Sequence, residues 1–430
     1  MQASVRNSTF INGADQYIEA LNKVSTGQKV HGNILVAKDG LVLLNKGYGQ
    51  ANYEESVGFT EDTKFLIGSI TKPITAIAIM QLQEKGLLDI NDPVSKYIPE
   101  QTRGNEITIE NLLNHTSGLS RDVNVSLYHP IPKEELINKA KTQPLISDPG
   151  ISTIYSNINY SLLAYIVENV SGQTYEEYLE DNIFKPLHMN STKAAASNND
   201  LPDMAEGYFV SDSQLNKVSG TIYDVSVFFG SGNIYSTTKD LYLLDRGLYE
   251  EKILSRESIV MMYENGYGWG VGELNGNKWV GHNGLLNNGY SSTLLRFPEE
   301  DLVVIALLNV SNQDNLSFNI AQVLLLMALG EEIVLPVEKE MISLSGDDLQ
   351  RFEGEYELEN GSKVSVQSTD NYLMLEPSIR KIKFFPYSES HFFAEGVEYR
   401  TIEFTSDDNG DINGLLFREC VVEFKGKKVK

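Results

Sequence analysis

The feature that most constrains this chain is Pro73-Ile74-Thr75-Ala76-Ile77-Ala78-Ile79-Met80-Gln81-Leu82, which is apolar nearly all round. A helix with no polar face has to be buried on every side, so the rest of the chain must wrap it. Pro73 is tolerable only near a helix start, and Gly86 supplies a stop. Immediately ahead lies Gly68-Ser69-Ile70-Thr71-Lys72. Residues three apart on a helix share a face, with Cβ atoms about 5–6 Å apart, so Ser69 and Lys72 come within reach of each other. A serine hydroxyl attacks a carbonyl only if a neighbour takes its proton, and Lys72 is the candidate neighbour. At its reference pKa of about 10.4 a lysine is a cation, so burial or nearby positive charge has to favour the neutral amine. The helix start also suits an anionic centre. A second Ser-x-x-Lys, Ser236-Thr237-Thr238-Lys239, reads instead as a polar turn before a helix.

Wrapping such a helix takes a large core, and 430 residues allow one large domain and a smaller one. The net charge of −24 argues against nucleic acid or an anionic membrane as partner. Cys420 is alone, which excludes an intramolecular disulfide and a cysteine metal cluster. The six histidines lack metal-ligand spacing, so neither a metal nor another cofactor is expected. No run is long enough to span a bilayer. The first seven residues carry no apolar core of signal-peptide length. The expectation is a cytoplasmic protein if Met1 is the native start, or a secreted or cell-envelope protein whose signal has been removed.

Taken in order, helical spacing covers 10–25, and strand-like runs at 32–37 and 41–44 flank the hairpin signal Asp39-Gly40. A short helix is expected over 108–114. Tyr155-Ser156-Asn157 precedes an apolar helical run that stops at Gly172, and Thr174-Tyr175-Glu176-Glu177 is a capping box. Gly230-Ser231-Gly232 reads as a loop near the site. Strands follow at 278–281, 290–297 and 302–308, then a closing helix at 317–329. The pattern gives an α+β class, an antiparallel sheet flanked by helices with a helical subdomain, over residues 1–335. Beyond it, alternating strands with turns at Asn360-Gly361 and Asn409-Gly410 predict a small antiparallel β-barrel over 345–430.

Ser69-Ile70-Thr71-Lys72, Tyr155-Ser156-Asn157 and His282-Asn283-Gly284, in that order, resemble the three motifs of the serine β-lactamase and penicillin-binding protein superfamily, nearest its class C-like branch. Leu112-Leu113-Asn114-His115-Thr116-Ser117-Gly118-Leu119 and Ile183-Phe184-Lys185-Pro186-Leu187-His188-Met189 look like signature stretches of that branch, and the likeness covers residues 28–330. The resemblance implies a β-lactamase/transpeptidase-like fold followed by a lipocalin-like barrel. It implies Ser69 as acylated nucleophile and Lys72 as its proton partner. Tyr155 would be a second proton carrier whose phenol is acidified by the Lys72 ammonium. The N–H groups of Ser69 and Leu285 would form the oxyanion hole. Asn157 would bond Lys72 and a substrate amide, with His282, Asn283 and Gly284 lining the substrate. His115 reads as a structural histidine, Tyr263-Glu264-Asn265 as a decoy of the second motif, and Asn288 and Tyr290 as site-lining or turn residues.

Many penicillin-recognising members carry Lys-Thr-Gly at the third motif, where the lysine holds a substrate carboxylate. His282 is mostly neutral at pH 7 and Asn283 lacks the hydroxyl, which implies weaker anchoring. Histidine versions occur in esterases, D-amino-acid peptidases and peptide cyclases. The expectation is therefore a serine hydrolase forming an acyl-enzyme on Ser69, with an ester or a D-amino-acid or peptide-like amide as substrate. The alternatives are a penicillin-binding carboxypeptidase or β-lactamase, an acyltransferase or peptide cyclase, and a non-catalytic sensor. A homo-oligomer is left open.

Overall fold

The computed structural model describes residues 2–25, 29–211, 214–219, 222–311, 315–377 and 381–429. Contacts group the chain into two compact units, one of His31–Phe209 and Lys217–Ala321, the other of Met1–Val30, Val210–Asn216 and Gln322–Lys430. The terminal helix and the end of the closing helix thus group with the barrel, which differs from a single boundary read at residues 335–345.

The first unit is built on a six-stranded antiparallel sheet of β1 (Gly32–Lys38), β2 (Leu41–Tyr48), β3 (Gly270–Leu274), β4 (Asn277–Leu286), β5 (Tyr290–Phe297) and β6 (Leu302–Leu308). Their spatial order is β3-β4-β5-β6-β1-β2. Strands from the two ends of the unit meet in the middle, with Gly32 opposite Leu308 and Lys38 opposite Leu302. Asp39 and Gly40 both take positive φ, 52° and 72°, the turn that matches the twist of a two-residue hairpin. β5 and β6 are buried along their whole length, as the run Leu302-Val303-Val304-Ile305-Ala306-Leu307-Leu308 requires of a strand covered on both faces.

Helix α2 (Thr71–Glu84) is buried from Thr71 to Leu82. Ile74, Ile77, Ile79, Met80 and Leu82 have no exposed surface, and each contributes about 1.5–3 kcal/mol relative to an exposed position. Its polar side chains are bonded inside the core: Thr75 donates to the Gly230 carbonyl at 2.7 Å, and the Gln81 amide donates to Asn182 O and Ile253 O. Helix α3 (Asn157–Ser171) lies beside it, N-capped by Ser156 and ended by Gly172 at φ 72°. Gly230 closes the gap between this helix and its loop, since a Cβ there would lie 2.3 Å from that of Ala164. The short helix Ile109–Leu113 and the capping box at Thr174 and Glu177 form as the sequence predicts.

In the second unit, eight strands from Gly354–Leu358 to Val422–Lys428 close into an antiparallel barrel. The first strand pairs with the last, Tyr356 opposite Lys428. Phe352, Phe392 and Phe404 pack ring to ring in its interior. Helix α1 runs Gln2–Val24, starting eight residues before its apolar spacing shows, because Gln2 to Thr9 contribute no apolar stripe to read. Among the described residues no helix is long and apolar enough to cross a membrane.

Candidate active site

The site grows out of two glycines that let two backbones touch. Strand residues Phe65–Leu66 lead into a 3-10 turn at Gly68–Ile70, and α2 begins only at Thr71. Ser69 therefore sits in that turn rather than within the α-helix. A 3-10 turn eclipses residues i and i+3, so the pairing of Ser69 with Lys72 is kept. Gly68 has φ +50°, and a Cβ on it would lie 3.2 Å from Gly284 Cα and 3.3 Å from Leu285 N. A Cβ on Gly284 would lie 2.1 Å from the Ile67 carbonyl oxygen and 2.3 Å from Ser292 Oγ. Ser292 stands opposite Gly284 in the β4–β5 register. Through the space left by the missing side chain its hydroxyl donates to Ile67 O at 2.7 Å. The sheet thereby holds the turn that carries Ser69 beside β4 at Leu285.

Lys72 has no exposed surface. Its Nζ lies 3.0 Å from Ser69 Oγ, 2.8 Å from Asn157 Oδ1 and 2.9 Å from the Ser231 carbonyl oxygen. Burial, and after it the Arg121 guanidinium, pull its pKa well below the ordinary lysine value, while Asp122 opposes them. Two of the three neighbours are carbonyl oxygens, which only accept hydrogen bonds. In its neutral form the amine has two N–H groups, which match the two carbonyls and would leave the lone pair toward the Ser69 hydroxyl. The expected Gly230-Ser231-Gly232 loop is thus part of the site, and it enters through its backbone.

Tyr155 lies over the same amine, 4.8 Å from Nζ to ring centroid, and its hydroxyl shares a hydrogen bond with Ser69. The expected acidification of this phenol is corrected by the structure. Burial raises it to about 12, outweighing the opposing pulls of the Ser69 bond and of Arg121. The expectation assumed a Lys72 ammonium, and burial pulls Lys72 toward its neutral form. Neutral amine with phenol holds the same protons as ammonium with phenolate, and an interior of low polarity favours the uncharged pair.

Asn157 is fixed from both sides. Its Oδ1 accepts from Lys72, its Nδ2 donates to Asp122 Oδ1 at 2.6 Å, and its backbone N–H donates to Arg121 O at 2.7 Å. Arg121 also lies over the Tyr155 ring, 5.3 Å from its centroid. Neither Arg121 nor Asp122 was singled out in the sequence. Their one signal is position, just past His115-Thr116-Ser117-Gly118-Leu119. His115 stacks on Tyr155 at 4.6 Å, and its Nδ1 accepts the Ser156 backbone N–H at 3.1 Å. Burial first, then the Lys72 and His282 charges, hold it near pKa 3, so it serves as a neutral brace for the second motif.

His282, Asn283, Gly284 and Leu285 lie on β4, which extends well past the residues 278–281 expected as strand. β3 pairs with β4 only as far as Gly281. The His282 ring faces Tyr155 with centroids 6.2 Å apart, and burial, assisted by Lys72, lowers its pKa to about 4. It is therefore uncharged at neutral pH. Asn283 Oδ1 accepts from Thr293 at 3.3 Å. The decoys lie in other roles. Thr237 caps a helix and Lys239 pairs with Glu61, while the Tyr263 hydroxyl is engaged by Arg296. Asn288 is a turn residue bonded to the backbone of Tyr223, and Tyr290 donates to Ala205 O.

A family model described as Beta-lactamase matches residues 14–326. A penicillin-binding protein of Bacillus subtilis (strain 168) is 26% identical, covering 90% of this chain and 93% of its own length. Protein PbpX of the same organism is 36% identical over 243 residues, 56% of this chain, and the match spans 61% of PbpX. Among solved structures, the octameric penicillin-binding protein homologue from Pyrococcus abyssi aligns over the whole of both chains with a TM-score of 0.65 and 26% identity.

Proposed function

The chain belongs to the beta-lactamase family, a family of serine hydrolases, and we propose that it works through an acyl-enzyme on Ser69, cleaving an ester or an amide next to a D-configured or otherwise peptide-like group. The observation that carries this reading is the buried Lys72 Nζ, 3.0 Å from Ser69 Oγ and within hydrogen-bond distance of two carbonyl oxygens, Asn157 Oδ1 and Ser231 O. In this scheme Lys72 takes the Ser69 proton as Oγ bonds to the substrate carbonyl carbon. The oxyanion lies between the N–H groups of Ser69 and Leu285. Tyr155, protonated at neutral pH, gives its proton to the leaving group and is reprotonated from the Lys72 ammonium. Water then attacks the acyl carbon, its proton returning through the same relay as Ser69 Oγ leaves. Asn157 holds Lys72 and offers its amide side to the substrate.

The neutral His282 supports a substrate without a free carboxylate at that end. A penicillin-recognising activity is the second reading, favoured by the name of the Bacillus subtilis relative that matches along most of both chains. The octameric Pyrococcus abyssi homologue favours a homo-oligomer here too. A panel of p-nitrophenyl esters, D-amino-acid amides and a chromogenic β-lactam separates the substrate readings, with mass spectrometry of the acylated peptide. Acyl transfer would show as product formed with an added amine at the expense of hydrolysis. Ser69→Ala is expected to abolish both turnover and labelling. Activity surviving that change sinks the mechanism.

A further inference from the structure

We infer that Arg121 sets substrate preference by binding a carboxylate on the acyl part of the substrate, an inference that rests on the acyl-enzyme reading above. The other basic side chains around Ser69 do not supply such a charge. Burial draws Lys72, His115 and His282 each toward the neutral form. A guanidinium keeps its charge at any working pH. Among the described residues named at the site, Arg121 is therefore the one that remains a cation. The chain as a whole carries a net charge of −24, so an acidic substrate needs a local positive charge to hold it.

Arg121 stands beside the reacting groups. Its guanidinium lies 5.3 Å from the centroid of the Tyr155 ring, whose hydroxyl is bonded to Ser69. Its backbone carbonyl accepts the Asn157 N–H at 2.7 Å, which ties it to the residue that offers its amide to the substrate. The side chain itself is little engaged. Nε lies 3.4 Å from Asp122 Oδ2, longer than a direct hydrogen bond, while Asp122 Oδ1 accepts from Asn157. Among the described residues no acceptor takes the two terminal nitrogens, and 69% of the side chain is exposed. Those nitrogens present the paired N–H groups that match the two oxygens of a carboxylate. An acidic side chain on the acyl residue of a peptide-like substrate would supply it.

The test compares p-nitrophenyl esters whose acyl chains are alike in length and differ in charge. The monoester of adipic acid ends in a carboxylate, its methyl ester is uncharged, and the 6-aminohexanoate is cationic. Release of p-nitrophenolate gives kcat/KM for each with the full-length wild type, Arg121→Gln and Arg121→Lys. All the esters meet the same Lys72, so any change that a substitution makes to the amine cancels in their ratios. In Arg121→Gln the ratio of monoester to methyl ester should fall about two- to fivefold, the range of an exposed ion pair. The ratio of aminohexanoate to methyl ester should rise, and Arg121→Lys should keep most of the monoester ratio. High salt should erase the difference between wild type and Arg121→Gln. A monoester ratio unchanged in Arg121→Gln, or one that falls together with the aminohexanoate ratio, overturns the inference, while Ser69 acylation seen by mass spectrometry leaves the acyl-enzyme reading standing. No acylation of Ser69 by any of the esters overturns that reading and the inference with it.

Discussion

Asp122→Ala is the perturbation that most directly tests how the amine is aimed. Asp122 accepts from Asn157 Nδ2 at 2.6 Å, and that bond decides which end of the Asn157 amide meets Lys72. If the amide turned over, an N–H would face Nζ and the lone pair would lose its direction toward Ser69. A hydrogen bond to a charged group contributes about 1.5–3 kcal/mol. The Asp122 side chain keeps 42% of its surface in solvent, so water replaces part of the bond and the lower half of that range applies. About 1.5–2 kcal/mol corresponds to roughly a 10- to 30-fold loss in kcat/KM. Asp122→Asn separates geometry from charge, because its amide oxygen still accepts from Asn157 while the carboxylate that raises the Lys72 pKa is gone. It should retain most of kcat/KM and shift the acid limb of the pH profile to lower pH. Steady-state kinetics on a p-nitrophenyl ester across pH reads both effects. Wild-type kcat/KM in Asp122→Ala, with an unmoved acid limb in Asp122→Asn, would refute the reasoning.

The folded-state pKa of Lys72 is lowered, so the amine form dominates above that value and activity should fall as pH drops through it. Tyr155, at about 12, adds no limb within the assay range, and Tyr155→Phe should be slower yet keep the acid limb. Disappearance of the limb in that variant would return the base role to the phenol. Gly284→Ala places a methyl group 2.1 Å from Ile67 O. Overpacking of this kind costs about 1–3 kcal/mol. A fall in the thermal midpoint with a larger loss of single-turnover acylation is expected, and acylation at the wild-type rate would show that the turn tolerates displacement.

The parts of the molecule that were legible in the sequence are those set by local periodicity and spacing. α2 declared itself because all its faces are apolar, the β1–β2 hairpin because Asp39-Gly40 permits one turn, and the Ser69–Lys72 pair because three residues make about a turn of helix. What the sequence hid depends on long-range burial. Whether Lys72 is an amine or an ammonium follows from the walls around it, and the direction of the Tyr155 shift reversed with that answer. Ser231 contributes a carbonyl that any residue could supply, so its side chain gave no sign. Asp122 reaches Asn157 from 35 positions earlier in the chain, across a loop without periodic pattern.

Through Ile67 and Ser292, Ser69 belongs to the cooperative unit of the sheet. Segments that open at little free-energy cost are ordinarily surface loops with few buried contacts. β5, to which the turn carrying Ser69 is fastened, is buried at every residue. The site accordingly divides into two mechanical classes. Arg121 and Asp122 ride on a solvent-facing loop that can fluctuate with its own local stability, whereas Ser69 gives way only when the sheet does. Changes in the first class should tune turnover while Ser69 stays in place.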